Sequence, residues 1–213
     1  MNRPCVIKCG FGVFAALLCG AFAMVARGDE AVRVAASDGV RGLSLKDIHG
    51  KPHRPLAPGG QKATVVFFVL HDCPLANKYA PEINRIVAGY RERGVQSFVV
   101  YVEDDLPVAA ARKHARDHKY SCPVLLDPAQ QLVRFTGATV SPEAAVLGPD
   151  NDVLYRGRID DRMTAPGKQR VEPTHRDLCV TLEAILAGKP VPARMTKAIG
   201  CYLPAPPPGE DRR

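Results

Sequence analysis

One thiol stands out chemically in this 213-residue chain. Cys73 lies in His71-Asp72-Cys73-Pro74, directly after the apolar run 64–70 (TVVFFVL) and ahead of a helical stripe formed by Ile83, Ile86, Val87 and Tyr90. A continuous β-branched and aromatic run reads as a strand buried on both faces, and the i, i+3, i+4, i+7 spacing reads as a helix. Asp72 or Cys73 can cap that helix, and Pro74 suits its first turn. Unpaired N–H groups and the helix dipole favour a thiolate at such a start, and the thiolate is the reactive form of cysteine. The competing assignment is a buried structural thiol, a common fate of free cysteine.

Other candidates are weaker singly. Ser141-Pro142 precedes the apolar run 144–147. X-Pro bonds are the common source of cis peptides, but a trans proline opening a strand fits the residues equally. Arg158 and the pair Asp160-Asp161 end the run 153–159. An arginine beside a thiolate stabilises its charge and can bind an oxidised sulfur, whereas an exposed strand end would hold only local ion pairs of small worth. Cys201 follows Gly200 after the last helical segment and reads either as a resolving thiol for Cys73 or as a structural clamp. Cys122 is read as free or as a partner of Cys201, Cys179 as core packing beside the stripe of the last helix, and Glu82 as a surface or packing residue. His71 and Cys73 are too few ligands for a copper or zinc site, so neither metal nor cofactor is expected.

The elements around these residues follow from pattern. Strands are expected at 64–70, 97–102, 124–126, 144–147 and 153–159. Helices are expected from Pro74 to near Gly94, at 108–118, around 132–135 and at 174–187, the last with capping-box spacing between Thr174 and Asp177. A short hairpin arm is expected around 43–49. The order β-α-β-α-β-α-β-β-α implies a parallel central pair, helices on both faces and an antiparallel closing hairpin. This is a thioredoxin-like three-layer α/β/α sandwich with a central mixed sheet.

Composition sets the class. Hydrophobic residues at 46% and charged residues at 24% are ordinary for a globular domain. Three of the seven net positive charges belong to Arg3, Lys8 and Arg27 near the N-terminus. The remaining basic residues are scattered among acids without interleaved aromatics, which argues against nucleic acid. Residues 1–26 have a basic start, an apolar middle and an Ala21-Phe22-Ala23 cleavage signal, so they read as a secretory signal, with an uncleaved membrane anchor as the alternative. Cleavage would remove Cys5, Cys9 and Cys19 and leave four cysteines in an envelope or periplasmic compartment where disulfides persist. The domain is expected over 40–203, with a disordered Pro-rich tail over 204–213.

The segment from Phe68 to Ile83 resembles the active-site segment of the peroxiredoxin-like redoxins, the alkyl-hydroperoxide-reductase/thiol-specific-antioxidant group of the thioredoxin superfamily. Thr136-Gly137-Ala138 with Ser141-Pro142-Glu143, the block from Leu154 to Arg162, and Gly200-Cys201 are similar to later blocks of the same group. The resemblance implies a thioredoxin-like fold, a cis proline at Pro142 and Cys73 in the place of the reactive cysteine. Two positions depart from the pattern. Leu70 stands where peroxiredoxins carry the hydroxyl that orients a peroxide, and Ala76 stands where thioredoxins carry their second cysteine. The function expected is an exported thiol oxidoreductase or antioxidant. Cys73 would attack a protein disulfide or a small hydroperoxide, and Cys201 or an external thiol reductant would restore it. A non-catalytic binding module of the cell envelope is the alternative.

Overall fold

The computed structural model describes residues 42–206 except residue 58. The expected signal segment, the start of the domain and the end of the tail lie outside the described residues. The centre is a five-stranded sheet in the order β5 (Val124–Leu126), β4 (Val95–Tyr101), β3 (Ala63–Val69), β7 (Glu143–Leu147), β8 (Val153–Gly157). Strand β3 is buried at every position, as its unbroken apolar run requires. It lies parallel to β4 along its whole length, and β5 extends the parallel half. On its other side β3 pairs antiparallel with β7, and β7 pairs antiparallel with β8.

Helix α1 (Pro74–Tyr90) connects β3 to β4, and α2 (Val108–Asp117) connects β4 to β5. Both crossovers step the same way across the sheet, so right-handed connections place both helices on one face. Their contacts agree: His114 Nε2 of α2 lies 2.8 Å from Asn77 Oδ1 of α1, and the Asn84 amide donates to the His118 carbonyl at 2.9 Å. Helix α4 (Asp177–Leu186) flanks α1, since the Tyr90 hydroxyl donates to Glu183 at 2.9 Å. The chain returns from β5 to β7 through α3 (Gln131–Thr136). This is the thioredoxin-like architecture, with a central mixed sheet flanked by helices.

Short elements complete it. The arm is a hairpin of β1 (Leu45–Lys46) and β2 (Pro52–His53), docked on β5 where the Ile48 N–H donates to the Val124 carbonyl at 3.0 Å. Strand β6 (Val140–Ser141) precedes β7, a hairpin of β9 (Met163–Ala165) and β10 (Lys168–Gln169) precedes α4, and β11 (Cys201–Tyr202) pairs antiparallel with β6.

Several expectations need correction. The last helix starts at Asp177, not residue 174, and the capping box does not form: Thr174 gives its N–H and hydroxyl to Asp161, while Asp177 binds Arg158. Leu70 lies beyond the end of β3. Glu82 is buried, with Arg85 and Arg176 on its carboxylate. Asp160 and Asp161 are buried, not an exposed strand end. The Pro204 carbonyl accepts from the Gln130 side chain at 3.0 Å, so the first residue of the expected tail is tied to the domain.

Candidate active site

Cys73 is the N-cap of α1, and no side chain caps that helix. The turn entering it is closed by the Cys73 N–H donating to the Leu70 carbonyl at 3.2 Å, and the first helical bond returns from the Asn77 N–H to the Cys73 carbonyl at 3.0 Å. The thiol is 1% exposed and donates to the Ser141 carbonyl at 3.2 Å. Ser141 also accepts the Leu70 N–H on its hydroxyl at 2.8 Å, and the Ser141–Pro142 bond is cis. One residue therefore ties both ends of the cysteine turn to the end of β6.

Cys201 is brought to the same place. In the β6–β11 ladder it sits directly opposite Ser141, the residue whose carbonyl accepts the Cys73 thiol. Burial, then the neighbouring Cys73, then Asp72 push the Cys201 thiol up to about 11. No disulfide joins the four described cysteines.

The other cysteines are elsewhere. Cys122 precedes β5, whereas Cys73 follows β3. Since the strands run parallel, these positions are at opposite ends of the sheet, roughly 15 Å apart at about 3.3 Å per residue. Cys122 is thus no partner for Cys201. Burial pushes its thiol up to about 11. Cys179 is buried on α4, with the Arg85 guanidinium donating to its sulfur at 3.7 Å.

Arg158 does not reach the thiols through any polar contact. Its guanidinium forms a two-pronged pair with Asp177, at 2.8 and 3.1 Å. It does line a cavity of about 10 Å³ beneath Pro142, with Tyr79, Asp160 and Ile199. There Asp160 accepts the Tyr79 hydroxyl at 2.6 Å and the Arg162 N–H at 2.9 Å.

On the other side of Cys73, Glu103 accepts the His71 N–H at 2.7 Å and lies 3.1 Å from its ring nitrogen. Among the described residues, His71, Asp72 and Glu103 are the group whose donor atoms, all within 4.8 Å of one another, could hold a cation. The Glu103 carboxylate is already satisfied by His71 and by the Val102 N–H at 3.2 Å, so the arrangement needs no ion to explain it.

Sequence reasoning missed three contributors. Glu103 follows β4 and becomes a neighbour only once β3 and β4 pair. His114 of α2 binds the Tyr101 hydroxyl at 2.6 Å and reaches α1 at Asn77. Thr196 fixes the segment that carries Cys201, with its Oγ 2.5 Å from the Tyr155 hydroxyl and accepting the Arg158 N–H at 3.1 Å. None has a local signal in sequence.

A family model described as Redoxin matches residues 36–170. No curated protein sequence matches the chain. Among solved structures, the chain is similar to an uncharacterized conserved protein of Geobacillus kaustophilus, at 24% identity and a TM-score of 0.70, covering 78% of this chain and 90% of that one. It is similar to a hypothetical protein of Sinorhizobium meliloti, at 22% identity and a TM-score of 0.66, covering 75% and 88%. A secreted Mycobacterium tuberculosis disulfide oxidoreductase, described as homologous to DsbE of E. coli, aligns at 16% identity and a TM-score of 0.49, covering 71% and 99%. The first two likenesses show a shared fold.

Proposed function

The chain belongs to the Redoxin family, and from that premise we propose that it is an exported thiol–disulfide oxidoreductase working through Cys73, with Cys201 as its resolving thiol. One observation carries the reading: both cysteines converge on Ser141, Cys73 through its thiol on the Ser141 carbonyl and Cys201 as the ladder residue directly opposite, although neither a CxxC motif nor a shared element joins them. In the cycle the Cys73 thiolate attacks a substrate disulfide, forming a mixed disulfide and expelling one thiolate. Cys201 loses its proton and attacks the Cys73 sulfur. The second substrate thiol leaves, and Cys73–Cys201 remains as a disulfide. An external thiol reductant supplies the two electrons that reopen it.

A disulfide is favoured over a hydroperoxide as substrate. Leu70 offers no hydroxyl to orient a peroxide, and Arg158 is committed to Asp177. Export rests on the signal-like residues 1–26, the domain then spanning 40–203.

The test is turnover of a small disulfide by the reduced protein with a thiol reductant. Cys73→Ser should abolish turnover. Cys201→Ser should stall with substrate bound to Cys73, visible as a mass adduct. Unchanged turnover in Cys73→Ser would overturn the role of Cys73, and no turnover by the parent protein would leave the non-catalytic binding module as the better account.

A further inference from the structure

The segment 194–204 runs as a strap along β8 at the edge of the sheet and then along β6, which brings Cys201 opposite Ser141. The Arg156 N–H donates to the Arg194 carbonyl at 2.9 Å, and the Thr196 N–H donates to the Arg156 carbonyl at 3.1 Å. The Tyr155 hydroxyl spends its single proton on the Arg158 carbonyl at 2.7 Å. The Thr196 hydroxyl must therefore donate to Tyr155, which leaves its oxygen to accept the Arg158 N–H. Beyond the site, the Leu203 N–H donates to the Thr139 carbonyl at 3.0 Å. Cys201 thus hangs between two anchors, and neither involves a thiol.

Two glycines show how closely the strap is fitted. At Gly157 a Cβ would collide with the backbone and side chain of Thr196, and at Gly200 a Cβ would overlap the Ser141 carbonyl. Gly157 also has φ +150°, outside the range of ordinary side chains. The strap is pressed against β8 at Thr196 and against Ser141 at Gly200, both just ahead of Cys201 in the chain.

We propose that Thr196 and Gly200 are positioning residues for the resolving step: they hold Cys201 against Cys73 and set the rate at which the mixed disulfide on Cys73 is displaced, without acting in the first attack. The inference rests on the Cys73–Cys201 reading above. Holding two reactants in place converts the second step into an intramolecular one, and misplacement by about 1 Å costs on the order of a hundredfold.

The experiment separates the two steps. Reduced full-length protein is mixed with a dithiodipyridine, quenched in acid at intervals, and the Cys73 peptide is scored by mass as free, pyridyl-linked or Cys201-linked. In the parent protein the pyridyl adduct should be transient. Thr196→Val should form the adduct at least as fast and close it about tenfold or more slowly, and Thr196→Ser should restore closure. Gly200→Val should leave the adduct standing. Circular dichroism and the intact first step report that each variant is folded. Closure at the parent rate in Thr196→Val would overturn the inference alone. A parent protein that forms the adduct but never the Cys73–Cys201 link would overturn the functional reading together with it.

Discussion

The proposed cycle gives the two thiols different tasks. Burial and Cys73 raise the Cys201 thiol to about 11, so in that cycle it stays protonated at neutral pH until Cys73 has reacted. Alkylation of Cys201 in the reduced protein should therefore be slow near pH 8 and climb up to about pH 11. In Cys73→Ala the midpoint should move down toward that of an ordinary thiol, because one cause of the elevation is gone. Rates read by mass spectrometry against pH check this. Ser141 carries a separate burden, since its hydroxyl is the acceptor for the Leu70 N–H and its carbonyl the acceptor for Cys73. Ser141→Ala strands a buried N–H and should cost about 1–3 kcal/mol in denaturant unfolding. Cys73 itself was legible because its signal is local: a strand, one thiol, a proline and a helical stripe. The partnership with Cys201 was not, because it depends on a two-residue ladder between segments far apart in sequence.

Among the elements, β3, β4 and α1 were readable because their residues state their burial directly. The start of α4 was misread for a physical reason. Thr174 and Asp177 have capping spacing, but Asp161 offers a stronger, buried carboxylate and takes Thr174 and the His175 N–H. Burial acts to raise the Asp161 carboxyl, yet the bonds from His175 and Thr174 outweigh it and bring it down to about 2. Asp161→Ala should release the segment leading into α4. Hydrogen exchange at His175 and Leu178 should accelerate, with a loss of about 1–3 kcal/mol in global stability. Equal exchange in variant and parent would show that β9 and β10 hold the segment without it. The strap was invisible for a related reason: residues 194–203 show neither a helical nor a strand period, and only the edges of β8 and β6 give them a place to bind.

At the scale of the whole molecule, the helical layer is joined by polar contacts that respond to pH. His114 stands between Tyr101 on the sheet and Asn77 on α1, near His118 and His71. Burial first, then His118 and His71, depress it to about 4. In the window from about 6.5 down to about 4 the unfolded chain binds more protons at this site than the folded one. The stability His114 contributes is thus complete above about 6.5 and is lost as pH falls toward 4, by about 2 kcal/mol once its partial exposure is allowed for. Unfolding curves for the parent protein and for His114→Gln should diverge across that window and run parallel above it. The class of architecture was readable at this scale, because strand order and crossover handedness follow from the alternation of elements. Which side chains meet between α1, α2 and the sheet was not, since such contacts are set by packing and not by spacing along the chain.

The central claim is that Cys73 and Cys201 form one redox couple. It is tested most directly by equilibrating the protein over a series of oxidised-to-reduced dithiothreitol ratios, trapping free thiols with acid and alkylating agent, and mapping the peptides. One two-electron transition is expected, in which the Cys73 and Cys201 peptides lose their free thiols together and appear as a single cross-linked species. Cys73 that stays alkylatable at every ratio, or a link from Cys73 to any other cysteine, would contradict it.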